Sequence, residues 1–435
     1  MNSNRIRDVR NFLERHGLVA TIKHAVSKRS PSRNFDAIST DGKFNQFLEE
    51  ANSSFQRGRY SESVLRIKAA ALRQEECRSG SGLEALGIRI CGSNVLNPFG
   101  HMAIALEVRA KRRILGLYSH NPILMLTGNE GNTELGTYWS EHFPTVSVSA
   151  QTRQNLETAL WPIVENIGWV EGDAQPLSLY EAVAETEEIW ADEGLRPLLS
   201  VSVEHEIKGR SLLTKHGVTP DDWFVALHVR SGEGGLDYGR NATHDTYEQA
   251  VKLIHEHGGH VVFLGKLNTA IKPQPNIISM EAERKNFPWL DLFLLGSARF
   301  VIGTQSGPAS VAAAFGTPVL MTNSVGWGFL PYHSSMVVLP KRILESKSEP
   351  KILTLPEMAQ RNLLNIDSYL WESTDHRYRW LDNSASEIER AVKDMMMGDP
   401  FNRPSSEEEM KFDDLHTALV GYRGPRLSSA HLEQE

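Results

Sequence analysis

The sequence predicts an α/β chain made of two Rossmann-like domains, preceded by a helical extension. Three observations predict it. The 435 residues leave room for two or three core-forming domains. From about residue 85, short apolar runs alternate with helical stretches, as in a parallel sheet covered on both faces. A second such series, with cleaner signals, begins after Pro220-Asp221-Asp222.

Composition narrows the function classes. The chain is 40% hydrophobic and 23% charged, an ordinary globular balance. Its 46 basic and 54 acidic side chains give a net charge of −8, so it cannot present a continuous basic footprint, and nucleic acid is not the expected partner. Cys77 and Cys91 are too few for a disulfide framework and stand in no zinc-like cluster, which fits a reducing compartment. No run of about 18 apolar residues is present, and the N-terminus lacks the apolar core of a signal peptide. The expected location is cytoplasmic.

The elements follow in order. Residues 1–33 carry eight basic residues against Asp8 and Glu14, with Ile6, Val9, Phe12 and Leu13 at helical spacing. This basic amphipathic helix suits either peripheral contact at the inner membrane face or packing on its own protein. Residues 44–73 read as two helices joined at Gly58, similar to one tetratricopeptide hairpin, which needs a neighbour to cover its apolar face. Gly87–Cys91, Ile123–Leu126 and Thr145–Val148 are strands of the first series, with helices over His101–Arg112 and Thr133–Phe143 between them. The acidic stretch Glu181–Glu193 reads as the wet face of a helix. In the second series Phe224–Val229 is a buried strand. Thr243 is placed to cap a helix carrying Tyr247, Ala250, Val251 and Ile254, which Gly258-Gly259 stops. His260–Leu264, Asn276–Ile278, Arg299–Ile302 and Val319–Met321 are further strands. The expected organisation is an arm over 1–35, a hairpin over 36–80, Rossmann-like domains over 81–217 and 218–345, and C-terminal helices and a tail over 346–435. Sites in such sheets lie at the carboxyl ends of strands, so the cleft between the domains is the expected site.

Two constellations carry chemistry. His228 and Arg230 lie two apart at a strand end and leave on one face. They precede a glycine-rich loop with Gly232, Gly234, Gly235 and Gly239. Arginine there can fork onto phosphate while glycines let backbone amides approach; a structural salt bridge under a flexible loop is the alternative. In the second, the strand Arg299–Ile302 runs through Gly303-Thr304-Gln305-Ser306-Gly307-Pro308 into an alanine-rich helix. Ser306 takes the N-cap position, and free amides at the helix start face an anion. Lys266, after the Leu264-Gly265 strand end, can add charge or simply be solvated. Asp291 reads as the polar side of a helix.

These motifs resemble glycosyltransferases of the GT-B fold. The Gly303–Pro308 turn with Gly316-Thr317-Pro318 is similar to the heptosyltransferase pattern. His228-Val229-Arg230 resembles the H-x-R of fucosyltransferases that use a GDP sugar. The layout also resembles glycosyltransferases found among bacterial surface-polysaccharide genes. Gln305 stands where heptosyltransferases usually carry an acidic residue, and Ser231 where fucosyltransferases usually carry a second arginine.

The resemblance implies a nucleotide-diphosphate sugar, with GDP or UDP as its nucleotide, on the second domain, bound by His228, Arg230, Gly232, Lys266, Thr304, Gln305, Ser306, Gly307 and Pro308. It implies a glycan, lipid-linked or protein acceptor, and an acceptor-side loop over Cys91–His101. His101, with an unperturbed pKa near 6.5, suits removal of the acceptor proton, and Glu107 is the runner-up. Arg230 is expected to stabilise the departing diphosphate. No cofactor is expected, and the absence of a D-x-D pair favours a metal-free reaction. The expected function is transfer of a hexosyl or fucosyl group in surface polysaccharide or glycoconjugate synthesis. A nucleotide-sugar epimerase of the same fold, or a non-catalytic nucleotide-sugar-binding protein, is the alternative.

Overall fold

A computed structural model describes residues 41–432 apart from 57–58, 119–120, 128–131, 232–237, 266–276, 326–329, 331, 347–348, 362, 364–376, 399–400 and 402–404. The basic arm lies outside the described residues, as do Gly232 and Lys266. The chain divides into two units, one ending at Ala182 and one beginning at Val183.

The first unit opens with the predicted hairpin, α1 (Gly42–Gln56) and α2 (Tyr60–Ser81). Its apolar face is covered: Ala70 and Ala71 are fully buried with Trp169, and Phe44, Phe47 and Ile67 pack against them. The Gln74 side-chain amide donates to the carbonyls of Trp161 (2.7 Å) and Val164 (2.8 Å), tying the hairpin to the sheet. That sheet comprises β1 (Arg89–Cys91), β2 (Ile123–Thr127), β3 (Thr145–Ser147) and β4 (Val164–Glu165). They pair in parallel in the order β3-β2-β1-β4. Helices α3 (Phe99–Leu115), α4 (Thr133–Trp139) and α5 (Ala150–Ala159) connect them. Ile88, Ile90, Leu124, Leu126, Leu160 and Ile163 form the core on one face.

Helix α6 (Leu179–Asp192) holds the unit boundary, and α7 (Val203–Thr214) precedes the second sheet. The boundary therefore lies upstream of the 217/218 break expected from sequence. The acidic stretch is not uniformly wet either. Glu187 is 2% exposed and accepts a hydrogen bond from Ser334 Oγ at 2.9 Å.

The second sheet contains β5 (Trp223–His228), β6 (Gly259–Phe263), β7 (Ile277–Ser279), β8 (Phe300–Thr304), β9 (Val319–Ser324) and β10 (Met336–Pro340). Between them run α8 (Glu248–Glu256), α9 (Glu281–Asn286), α10 (Leu290–Gly296) and α11 (Gly307–Ala314). A small antiparallel sheet of β11 (Arg342–Glu345), β12 (Lys351–Ile352) and β13 (Tyr378–Leu381) follows, and then α12 (Ala385–Met397), α13 (Glu407–Val420), β14 (Arg426–Leu427) and α14 (Ser429–Leu432). The large sheet is wholly parallel, in the order β7-β6-β5-β8-β9-β10-β14. Counted in chain order its strands lie 3-2-1-4-5-6-7, the Rossmann arrangement with a seventh strand added by the C-terminus.

Alternation along β5 shows how the sheet is covered. Val225, Leu227 and Val229 share one core with Ala250, Val251 and Ile254 of α8 and with Ile388, Ala391 and Val392 of α12. Phe224 faces the other way and meets Phe293 of α10, ring centroids 6.1 Å apart. Helix α12 and Ala430 thus belong to the core of the second unit. Helix α8 ends as predicted, because Gly258 takes φ +74° and a Cβ at Gly259 would lie 2.3 Å from the Trp223 ring. Its start differs from the prediction. Thr243 heads a short 3₁₀ turn, His244–Tyr247, and its hydroxyl donates to Asp382 at 3.0 Å instead of capping.

Candidate functional site

In a doubly wound sheet, strand connections run outward in opposite directions from one point, leaving a crevice at the carboxyl ends of the two strands there. In the second unit that switch point lies between β5 and β8, where Gly303 is paired with His228. The two predicted constellations are therefore neighbours, at the ends of adjacent strands.

The chain fixes Arg230 by its backbone. Its N–H donates to Thr304 Oγ1 (2.9 Å), and its carbonyl accepts from Ala242 N–H (3.0 Å). Next along the chain, Thr243 is held through Asp382, which accepts from its N–H (2.9 Å) and pairs with the buried Lys341 (2.7 Å). Thr304, expected from sequence among the ligand-binding side chains, is fully buried and spends its hydroxyl on this clamp.

Ser306 occupies the N-cap position of α11 with extended backbone, as predicted, but its side chain makes no cap. Ser306 Oγ instead lies 3.0 Å from Thr304 O and 3.0 Å from His228 Nδ1. Gln305 Oε1 accepts from Val325 N–H at 3.1 Å, so that side chain braces the segment after β9. Gly307 is the first helical residue, without the positive φ that would have made glycine obligatory. Pro308 has no N–H, and Ala309 N–H turns to Ser306 O at 3.2 Å. The amide cradle thus narrows to the Gly307 end of the helix, whose N–H has no intrahelical acceptor.

Electrostatics add Arg284, which the sequence did not single out, and give Asp291 a partner beyond the polar side of its helix. Arg284, on α9 just beyond β7, donates to both carboxylate oxygens of Asp291, by Nη2 at 2.8 Å and by Nε, and through Nη1 to Gly265 O at 3.1 Å. It joins the ends of β6 and β7 to α10. Burial, then the charges of Arg284 and Arg230, push the His228 imidazole down to about 4, with Asp291 opposing. The imidazole is therefore neutral at physiological pH beside two guanidiniums. The signal in sequence was a basic residue soon after a strand end, with an acid seven positions on.

The chain is similar to several solved glycosyltransferases. One is the glycosyl transferase family 9 protein of Veillonella parvula, 11% identical over 72% of this chain and 98% of that one, TM-score 0.43. Another is the E. coli ADP-heptose lps heptosyltransferase II, 13% identical over 66% and 99%, TM-score 0.38. The UDP-GlcNAc 2-epimerase of Neisseria meningitidis, bound to UDP-GlcNAc, is 13% identical over 60% and 64%, TM-score 0.21. No protein-family model matches the chain, and no curated protein does.

In the first unit, the loop over Cys91–His101 leaves the carboxyl end of β1, and His101 is exposed in the first turn of α3. Glu107, the alternative base, is 4% exposed and forms an ion pair with Lys111 at 2.9 Å. Its carboxylate therefore lies inside the fold beside Lys111. Among the described residues, no helix is long and apolar enough to cross a membrane.

Proposed function

We propose that the second unit binds a nucleotide-diphosphate sugar with its diphosphate at the β5/β8 switch point, and that the protein transfers the sugar to a hydroxyl acceptor. The observation that carries this reading is the convergence of Arg230, Arg284 and the free N-terminal end of α11 on one carboxyl edge. The charges of Arg284 and Arg230 both act on the His228 imidazole, which stays neutral between them, so positive charge is directed to the place where phosphate charge would develop. Stabilising the leaving diphosphate is the main electrostatic demand of such a transfer. Arg230 and the Gly307 N–H are suited to meet it, since a guanidinium fork and a helix N-terminus both match phosphate oxygens.

His101 is the proposed base for the acceptor hydroxyl, resting on its exposure and on imidazole being the side chain whose ordinary pKa lies nearest neutrality. The arginine and amide set supports a reaction that needs no divalent ion, so activity should survive EDTA. GDP and UDP sugars are the proposed donors, with a hexosyl or fucosyl group transferred into surface polysaccharide or glycoconjugate.

Calorimetric titration with ADP, GDP and UDP tests the binding step. The reading expects at least one to bind with micromolar affinity, and failure of all three defeats it. Product analysis with and without an acceptor pool tests the chemistry. Conversion of the donor sugar in the absence of any acceptor would mark an epimerase instead.

A further inference from the structure

The hydrogen bonds around Ser306 determine which nitrogen of His228 carries its proton. Ser306 Oγ lies 3.0 Å from the Thr304 carbonyl and 3.0 Å from His228 Nδ1. A carbonyl oxygen can only accept, and a serine hydroxyl has one proton to give. With that proton on Thr304 O, the remaining partner of Ser306 Oγ has to be a donor, so Nδ1 carries the hydrogen. The neutral ring then holds its lone pair on Nε2, to which no described residue hydrogen-bonds.

The neighbours make this lone pair chemically distinct. Arg230 and Arg284 present only donors, and so does the helix end at Gly307. Asp291, an acidic group acting on His228, is engaged by Arg284. Phosphate oxygens near neutral pH are acceptors, so Nε2 repels them while the guanidiniums attract them. A hydroxyl has the opposite preference.

We propose that His228 Nε2 accepts a hydrogen bond from a hydroxyl of the ligand, making His228 the specificity residue that separates the polyol part of the ligand from its phosphates. The proposal rests on the diphosphate reading above and deepens it. The hydroxyl belongs either to the ribose or to the transferred sugar, which offer the same chemistry. Ser306 is the positioning residue, since it holds the tautomer without touching the ligand through its side chain.

The test has two arms. Nitrogen-15 NMR of histidine-labelled full-length protein reads the tautomer directly. The expected spectrum has a protonated Nδ1 and a bare Nε2 at pH 7, lost in Ser306→Ala; a protonated Nε2 in the wild type overturns the proposal whatever the protein binds. Calorimetry then compares His228→Phe with the wild type toward pyrophosphate, UDP, GDP, and the sugars UDP-glucose and GDP-fucose. The expected result is pyrophosphate affinity within about twofold and a loss of about tenfold for the hydroxyl-bearing ligands. A loss that begins with the free nucleotides assigns the hydroxyl to ribose, and one confined to nucleotide sugars assigns it to the sugar. His228→Gln, which restores an acceptor, should recover most of the loss and also guards against a poorly folded phenylalanine variant. Equal losses for pyrophosphate and nucleotides, or no loss for any, overturn the proposal while leaving the diphosphate reading standing. If the wild type binds none of these probes, the diphosphate reading fails and this assignment falls with it.

Discussion

Both units begin their sheets with the same 3-2-1-4 strand order, yet they place their arginines differently. In the first unit Glu165, ending β4, sits between Arg89 of β1 and Arg109 of α3; Arg109 Nε donates to it at 2.7 Å, Arg89 Nε is also bonded to it, and Tyr118 Oη donates at 2.6 Å. All four side chains are buried, and despite that burial the two guanidiniums and the Tyr118 hydroxyl hold the Glu165 carboxyl down at about 2. Charge there is consumed internally, joining strand to helix. In the second unit Arg230 and Arg284 stand at strand ends beside an imidazole they help keep neutral. On the proposed function, arginine charge joins strand to helix in the first unit and would meet a ligand at the strand ends of the second.

Removing the central charge of the first unit is the harshest way to break this comparison. Glu165→Gln takes the carboxylate partner from the buried Arg109 and leaves Arg89 only Glu75 (2.9 Å) and the more distant Glu171, and breaking a buried pair in this way costs about 3–5 kcal/mol. Denaturant unfolding should show the loss, and nucleotide affinity of the folded fraction should not move. A parallel loss of affinity would mean the two clusters are not separate in function.

Arg230→Ala probes the other side. The backbone of residue 230 is held by Thr304 and Ala242 whatever its side chain, so the fold should persist while turnover drops by about 10²–10³, as expected when a group that stabilises leaving-group charge is lost. Unchanged turnover at saturating donor would remove Arg230 from the site.

The same contrast should appear in pH dependence, with smaller effect. The folded pKa of His228, about 4, lies below its ordinary value of 6.5. The unfolded chain then takes the proton first, so this contribution is complete above pH 6.5 and is lost as pH falls toward 4, on the order of 1–3 kcal/mol. The folded pKa of Glu165, about 2, lies below its ordinary value of 4.5, so its contribution is complete above pH 4.5 and is lost as pH falls toward 2. Hydrogen exchange resolved along the chain at pH 5 should show weakened protection around β5 and α11 with the first sheet unaffected. Uniform weakening would contradict the assignment.

The fold was largely legible because it is written in local pattern. Apolar runs marked the strands, Gly258-Gly259 marked the end of α8, and the Gly303–Pro308 turn marked the start of α11. The site was legible only in part. His228, Arg230 and Ser306 could be placed because strand ends and N-caps have sequence signatures, but their partners could not. Thr304 reads as a ligand contact until its hydroxyl is found beneath the Arg230 amide. Arg284 and Asp291 meet through a helix–helix contact that follows from no spacing on one element. The burial of Glu107 with Lys111 on α3 was equally invisible in the sequence. Side-chain pairing across elements is what a single sequence does not reveal.

The claim that the second switch point holds a diphosphate is tested most directly at Gly307. Its backbone is helical, so valine can be placed there without the strain of a left-handed residue, while the added side chain would crowd the N–H that faces the ligand. Nucleotide affinity by calorimetry and melting temperature should be measured on one preparation of Gly307→Val. The account predicts weaker binding of UDP or GDP by about 1–3 kcal/mol, the cost of an unmade hydrogen bond to a charged group, with the melting temperature nearly preserved. A destabilised variant that binds nucleotide as tightly as the wild type would contradict it.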